Sequence, residues 1–310
     1  MKDESLFDLE GLLSSLDDSV KEELASKPEI DRDWKGDVDV ATLPITKRKW
    51  IEIPDVVAVV ADMKSSTKMG TGKHAASTAS IYQASTGGVV EIYNRFDADF
   101  IQIQGDGAFA LFWGGSRYER AMCAAITSQT FGGSLTEHLE AKWPEAPKTG
   151  LKVGVASSRI LVKRIGTPRN PAQQEPVWAG KAVNYAAKAA QGADRHQIVL
   201  TGAVWDRIEK NDYLTMSCGC PSGNIVGLWE NAEIDRLPDG DPDAQGRMLP
   251  TSWCSTHGPE FCGAILSGMK VREDAAEPRR KVLKSQFQGA IRLNARRKRE
   301  ERAAHRRGLA

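Results

Sequence analysis

The chain has 310 residues, 41% of them hydrophobic, and a formal net charge of +1, which supports one large folded core with additional segments. The longest apolar run, 56–61, is far shorter than the roughly 18 residues of a membrane span, and the acidic N-terminus does not resemble a signal peptide. Five cysteines without a secretory signal favour reduced thiols or metal ligands over disulfides, so we expect a cytoplasmic protein with no membrane partner.

Periodicity predicts the elements in chain order. Segment 1–50 should hold an amphipathic helix over 5–25, packed on the main domain or on a partner subunit, and then a polar linker. Segment 51–210 should form the main domain. Its predicted elements are strand 55–62, helix 74–95, strands 100–105 and 108–113, helix 116–140, strands 151–157 and 160–166, an extended piece at 176–178, helix 180–191, strand 197–201 and helix 202–210. This order indicates an α+β fold, in which helices pack on a sheet that contains antiparallel strands.

Two further segments follow the predicted main domain. Residues 211–269 are rich in Gly, Pro and Cys and are predicted to form an appendage. Residues 270–310 carry 14 Lys and Arg against 5 Asp and Glu and are predicted to form a basic helical tail. Without interleaved aromatic residues, this tail is not expected to bind nucleic acid, and a contact with the acidic remainder of its own dimer is favoured.

Two aspartates next to apolar strands are the strongest functional signal. Asp62 ends the run DVVAVVAD, and Asp106 lies in the turn Gly105-Asp106-Gly107 between two predicted strands. Taken singly, each has an ordinary structural explanation, as a helix N-cap or a hairpin turn. Because neither run contains Lys or Arg, a divalent cation with oxygen ligands, such as Mg²⁺ or Mn²⁺, is the favoured partner for the pair.

Three motifs in the same order resemble the catalytic domain of class III nucleotidyl cyclases: Asp62, Gly105-Asp106-Gly107, and the later helix sequence VNYAAK from 183 to 188. The resemblance covers about half of the chain. It implies that Asp62, the Met63 carbonyl and Asp106 bind two metal ions, and that Asn184 and Lys188 act on the ribose and the α-phosphate. It also implies a homodimer in which each active site combines the aspartates of one subunit with the Asn and the cation of the other.

The substrate contacts follow from the same resemblance and from residue chemistry. Loop 64–67 offers backbone N–H groups, hydroxyls and a cation to a triphosphate through Lys64, Ser65, Ser66 and Thr67. Lys188 replaces the Arg usual in the family, and it provides a point charge without a planar fork. Gln102 and Val177 stand where the family's adenine-reading Lys and Asp would be, so a pyrimidine base is favoured.

The wider pattern, with DMKSST, His74-x-x-Ser77-Thr78 and VNYAAK, resembles the bacterial pyrimidine cyclases of Pycsar anti-phage systems. The leading prediction is therefore conversion of UTP to 3′,5′-cyclic UMP as a second messenger in anti-phage defence. Three alternatives stay open: a CTP-specific cyclase, a purine-specific cyclase, and a non-catalytic nucleotide-binding module with a nucleic-acid-binding tail.

Four of the five cysteines, together with one histidine, suggest a structural zinc site. Cys218, Cys220, Cys254, His257 and Cys262 offer five soft ligands, and four are sufficient for tetrahedral Zn²⁺. The alternative is a set of scattered reduced thiols. Cys123 lies in an apolar helical run and is expected to be a small buried residue.

Overall fold

A computed structural model of the chain describes residues 7–33, 38–45, 47–71, 73–282 and 284. Its helices are α1 (Leu9–Ala25), α2 (Ser66–Gly70), α3 (Ala75–Arg95), α4 (Arg117–Lys142), α5 (Lys181–Gly192), α6 (Gly202–Ile208), α7 (Asp212–Thr215) and α8 (Gly258–Leu266). Its strands are β1 (Glu29–Asp31), β2 (Lys49–Met63), β3 (Phe100–Gln104), β4 (Gly107–Phe112), β5 (Leu151–Gly166), β6 (Gln174–Gly180), β7 (Gln197–Leu200), β8 (Glu230–Glu233) and β9 (Gln245–Leu249). None of the described helices is long and apolar enough to cross a membrane.

The chain divides into two compact units, of which the larger comprises 54–160 and 180–310. The sheet has the strand order β3-β4-β2-β5-β7-β9-β8. The pairs β2/β4, β3/β4, β7/β9 and β8/β9 are antiparallel, whereas β5 and β7 are parallel. This mostly antiparallel sheet with packed helices confirms the predicted α+β fold. Residues from 211–269 supply β8 and β9, and the appendage boundary at 211 stays a prediction.

The hydrophobic core of the larger unit lies between the sheet and the helices α3 and α4. Every residue of α4 from Ala121 to Ile126 is buried, which includes Cys123 as predicted. Tyr93 of α3 is fully buried, and its hydroxyl donates a hydrogen bond of 3.3 Å to the carbonyl of Val59 in β2. This contact anchors the helix layer on the central strand, because a buried hydroxyl needs a partner.

The smaller unit comprises 1–53 and 161–179. In it, β1 pairs in parallel with the start of β2, where Glu29 is opposite Lys49, and β6 pairs with β5. Helix α1 begins at the Asp8 cap, whose carboxylate accepts from the Gly11 amide at 2.9 Å. No residue of α1 is buried, so the expected burial of its apolar face is not seen within this unit. Packing of α1 on a partner subunit stays a prediction.

The predicted strands 151–157 and 160–166 form one continuous strand, β5, so the predicted interruption was wrong. The predicted interruption fell at residues 158 and 159 of this strand. In the structure, the Ser158 hydroxyl accepts a hydrogen bond of 2.8 Å from the backbone N–H of Ala182, at the start of α5. The first turn of a helix leaves backbone N–H groups without partners inside the helix, and the Ser158 hydroxyl satisfies one of them. A polar residue at this position of the strand therefore stabilises the fold.

Only part of the predicted basic tail can be compared with the structure. Residues 276–282 are helical. Residue 283 and residues 285–310 lie outside the described residues, as does most of the predicted tail helix.

Candidate active site

The pairing of β2 with β4 places the two predicted metal-binding aspartates at the same end of this strand pair. Ala61 is opposite Ala108, and continuation of this antiparallel register places Asp62 beside the turn that carries Asp106. A Cβ atom on Gly107 would lie 2.5 Å from the carbonyl oxygen of Ala61 and 3.4 Å from Oδ1 of Asp62. Glycine is therefore required for this close approach, and the turn packs directly against the end of β2.

A small cavity adjoins this pair of strands. Its volume is about 130 Å³, and Asp62, Gln104, Ala187, Ala190 and Gln191 are among the residues that line it. Ligand pockets for whole small molecules usually measure about 300–1,000 Å³, so this cavity has room for ions and water but not for a nucleotide. This cavity is therefore too small to enclose a nucleotide by itself.

Lys152 contacts the first aspartate, a partner that the sequence reasoning missed. Its Nζ lies 2.9 Å from Oδ2 of Asp62, and the lysine side chain is only 14% exposed. The absence of Lys and Arg from the runs around the two aspartates did not exclude a cationic partner, because strand β5 rather than β2 supplies it. The signal in the sequence is a single charged residue in the apolar run LKVGVA that begins at Leu151.

The loop after Asp62 is held by contacts outside the cavity. The ammonium of Lys64 forms an ion pair with Asp194, and its backbone carbonyl accepts a hydrogen bond of 2.5 Å from the Thr149 hydroxyl. The Lys64 ammonium lowers the pKa of Asp194, as does a hydrogen bond from the Arg195 amide. Beyond it, Ser65 adopts a left-handed conformation, and α2 begins at Ser66 and includes Thr67. The Met63 side chain is buried in the core and is not available as a ligand.

Asn184 and Lys188 lie on α5, one helical turn apart. The Asn184 amide donates a weak hydrogen bond of 3.4 Å to the Gly180 carbonyl, and its side chain is exposed. The Lys188 ammonium lies 5.9 Å from the ring centroid of Tyr185. Neither residue lines the cavity beside Asp62, although Ala187 and Gln191 on the same helix face do.

The two predicted base-contacting residues lie on different strands. Gln102 is half-buried on β3, opposite Phe109. It shares a sheet face with Gln104, which lines the cavity, because side chains alternate along a strand. Val177 lies on β6 in the smaller unit and is 39% exposed.

The predicted zinc ligands converge, with one exception. The ligand atoms of Cys218, Cys220, Cys254 and His257 all lie within 4.8 Å of one another. Cys262 is not in this group. Its thiol instead interacts with that of Cys123 on α4, an interaction that, with burial, raises the pKa of Cys123.

The chain is similar to known proteins in sequence and in structure. No family model matches the chain. It is 54% identical over 303 residues to a protein of Micromonospora echinofusca named uridylate cyclase, covering 97% of this chain and 98% of that one. It is also 47% identical over 293 residues to a uridylate cyclase of Propioniciclava tarda, with 94% of each chain covered.

Two solved structures from Pseudomonas aeruginosa have a similar fold. An adenylyl cyclase superposes with a TM-score of 0.51 at 12% identity, covering 65% of this chain and 96% of that one. A class III adenylyl cyclase-like ATP-binding protein superposes with a TM-score of 0.51 at 16% identity, covering 64% of this chain and 43% of that one. At such low identity these matches show the fold alone, and they confirm the class III cyclase fold expected from the motifs.

Proposed function

The chain belongs to the uridylate cyclase family, and from this premise we propose that it converts UTP to 3′,5′-cyclic UMP and diphosphate. The observation that carries the proposal is the register of β2 and β4, which places the Gly105-Asp106-Gly107 turn against Asp62. Two carboxylates held at adjacent strand ends provide the oxygen ligands that a metal-dependent phosphoryl reaction requires.

Asp62, Asp106 and the backbone carbonyl of Met63 would hold two Mn²⁺ or Mg²⁺ ions. Because Lys152 already contacts Asp62, such an ion would displace the ammonium or share the carboxylate with it. When bound, such ions lower the pKa of the attacking 3′-hydroxyl and neutralise the leaving diphosphate. The two aspartates would hold the metal ions at the end of β2. The α-phosphorus of the substrate would therefore lie next to this strand end.

The other predicted residues would orient the substrate. The amide of Asn184 holds the ribose, and the ammonium of Lys188 stabilises the charge that grows on the α-phosphoryl oxygens. Loop residues 64–67 would bind the triphosphate. For this, Lys64 would give up its ion pair with Asp194 and form one with a phosphate. Gln102 and Val177 remain the proposed base-contacting residues by the family resemblance. An amide and an aliphatic residue do not provide the paired polar groups that a purine edge would need, which favours a pyrimidine.

We further propose a homodimer with shared active sites. The cavity beside Asp62 is too small for a nucleotide, and neither Asn184 nor Lys188 lines it. A second copy would supply both residues to the aspartates of the first and would complete the walls of the site. This assembly would contain two equivalent sites, as the two-fold symmetry of most dimers requires.

The test is a competition assay in which the purified protein is incubated with Mn²⁺ and equal concentrations of the four ribonucleoside triphosphates. Products are identified by mass spectrometry. We expect mostly cyclic UMP. Asp62→Ala and Asp106→Ala should abolish the product, whereas Asp239→Ala, which removes an exposed carboxylate from the same unit, should leave turnover unchanged.

Other products would contradict specific parts of the proposal. Mostly cyclic CMP would move the substrate to CTP, and mostly cyclic AMP or GMP would remove the pyrimidine assignment while cyclase chemistry remains. No cyclic product, with nucleotide binding retained, would indicate a non-catalytic module.

A role in cytoplasmic anti-phage defence is the remaining part of the proposal, and the resemblance of the three motifs to Pycsar cyclases supports it. The test is a plaque assay in bacteria that carry the gene with its chromosomal neighbours. Protection should disappear with Asp106→Ala. Equal protection by this variant would separate the defence phenotype from the cyclase chemistry.

A further inference from the structure

A cysteine and histidine cluster lies in the larger unit, at a place that the proposed cyclase chemistry does not use. Two of its members, Cys218 and Cys220, lie in the segment after α7. The other two, Cys254 and His257, come just before α8, where His257 is the N-cap residue. Thirty-three residues separate Cys220 from the next member in sequence, so only the fold brings these side chains together.

The distances within the cluster match those of a tetrahedral metal site. His257 Nδ1 lies 3.4 Å from the Cys220 sulfur and 3.8 Å from the Cys254 sulfur, and all four ligand atoms are within 4.8 Å of one another. Zinc bonds of about 2.3 Å to sulfur and about 2.0–2.1 Å to nitrogen, at tetrahedral angles, place S and N ligands about 3.5–3.6 Å apart. The observed separations lie on either side of this value.

Disulfide pairing does not account for the cluster. Cys218, Cys220 and Cys254 are all free thiols in the described chain. Three thiols and an imidazole nitrogen facing one point form a soft ligand set that a transition metal would neutralise.

We propose that Cys218, Cys220, Cys254 and His257 bind one Zn²⁺ ion in a structural site. Four protein ligands complete the tetrahedron and leave no position for a reacting water, which distinguishes this arrangement from a catalytic zinc site. Cys262 is excluded from the ligand set because its sulfur is not among the ligand atoms that lie within 4.8 Å of one another.

The ion joins the two walls of a large apolar cavity. This cavity measures about 870 Å³, and Met216, Val226, Trp253 and Phe261 are among its lining residues, together with three of the four proposed ligands. One wall is the segment that Ser217 and Val226 close by a backbone hydrogen bond of 2.8 Å. The other wall is the start of α8. Zinc would hold the walls together, and its loss would expose apolar side chains to solvent.

The test begins with the metal content of the full-length protein, purified without chelator, with zinc, iron, cobalt and nickel measured by mass spectrometry. We expect about one zinc per chain. Cys220→Ser and His257→Ala should lose most of it, whereas Cys262→Ser should retain it and is the matched control. A protein without zinc, one with stoichiometric iron, or loss of zinc only in Cys262→Ser would overturn the proposal.

A second measurement on the wild-type protein avoids variants that fail to fold. Removal of zinc by a chelator should lower the midpoint of thermal unfolding and increase the binding of a hydrophobic dye, and added Zn²⁺ should reverse both effects. Replacement by Co²⁺ should give the visible absorption of a tetrahedral thiolate complex. An unchanged midpoint after verified removal of the metal, or octahedral Co²⁺ absorption, would contradict a structural site.

Discussion

The ion pair of Asp62 with Lys152 gives the proposed metal site an internal competitor. Its N–O distance is 2.9 Å, and both side chains belong to strands of the larger unit. A metal ion that binds Asp62 has to displace the ammonium or share the carboxylate with it. The lysine is therefore expected to raise the metal concentration needed to fill the site.

Lys152→Met should lower the Mn²⁺ concentration that gives half-maximal cyclase activity. Even a net competition of about 1 kcal/mol would change metal binding about fivefold. The measurement is a titration of activity with Mn²⁺ at saturating UTP. Lys148→Met is the matched control, since this lysine pairs with Glu140. A higher half-saturating concentration in Lys152→Met would show that the lysine supports metal binding rather than opposing it.

Gly107→Ala should destabilise the fold and abolish activity. Its Cβ would lie 2.5 Å from the Ala61 carbonyl oxygen, so the turn with Asp106 has to move away from Asp62. We expect a loss of about 1–3 kcal/mol in the free energy of unfolding, measured with denaturant. Gly133→Ala in α4, where a Cβ meets nothing within 4 Å, should be neutral or stabilising. Normal turnover in Gly107→Ala would show that the close approach is not needed.

At the scale of elements, local patterns predicted most helices and strands but not their partners. Helices α3, α4 and α5 each lie within two residues of the predicted bounds. The contact between Lys152 and Asp62 depends on β5 lying next to β2, and a long-range neighbour is not encoded in either strand's own pattern. For the same reason, the sequence could not show which four of the five candidate zinc ligands converge in the fold.

The exposed apolar face of α1 allows a prediction with a closely matched control. Leu13→Ala removes a side chain that is 56% exposed, whereas Leu135→Ala on α4 removes one that is 6% exposed. The free energy of unfolding of the isolated protein should fall by less than about 0.5 kcal/mol for the first variant and by about 2–5 kcal/mol for the second. Similar losses for both variants in denaturant titrations would show that α1 is covered in solution, for example by a second copy.

At the scale of the whole molecule, shared active sites predict complementation between inactive variants. A mixture of Asp106→Ala and Asn184→Ala should recover cyclase activity, because heterodimers contain one intact site. Recovery should approach about a quarter of the wild-type rate, since half of the dimers formed by random exchange are mixed and each has one working site.

The control mixture combines Asp62→Ala with Asp106→Ala. These aspartates belong to the same half of the site, so no heterodimer contains an intact one. Activity in this control, or none in the first mixture after subunit exchange is verified by native mass spectrometry, would contradict shared sites.

Gly154 on β5 has a consequence for regulation. A Cβ there would lie 2.0 Å from the Ala186 carbonyl oxygen and 2.4 Å from the Ala190 nitrogen, so α5 rests on the bare backbone of the strand. No layer of side chains that could slide or repack separates the helix from the strand. Helix α5 and strand β5 are therefore expected to move as one rigid unit. In the proposed homodimer, a regulatory signal would then act by rotating one subunit relative to the other, and the proposed dimer interface is where we expect activating or inhibiting ligands to bind.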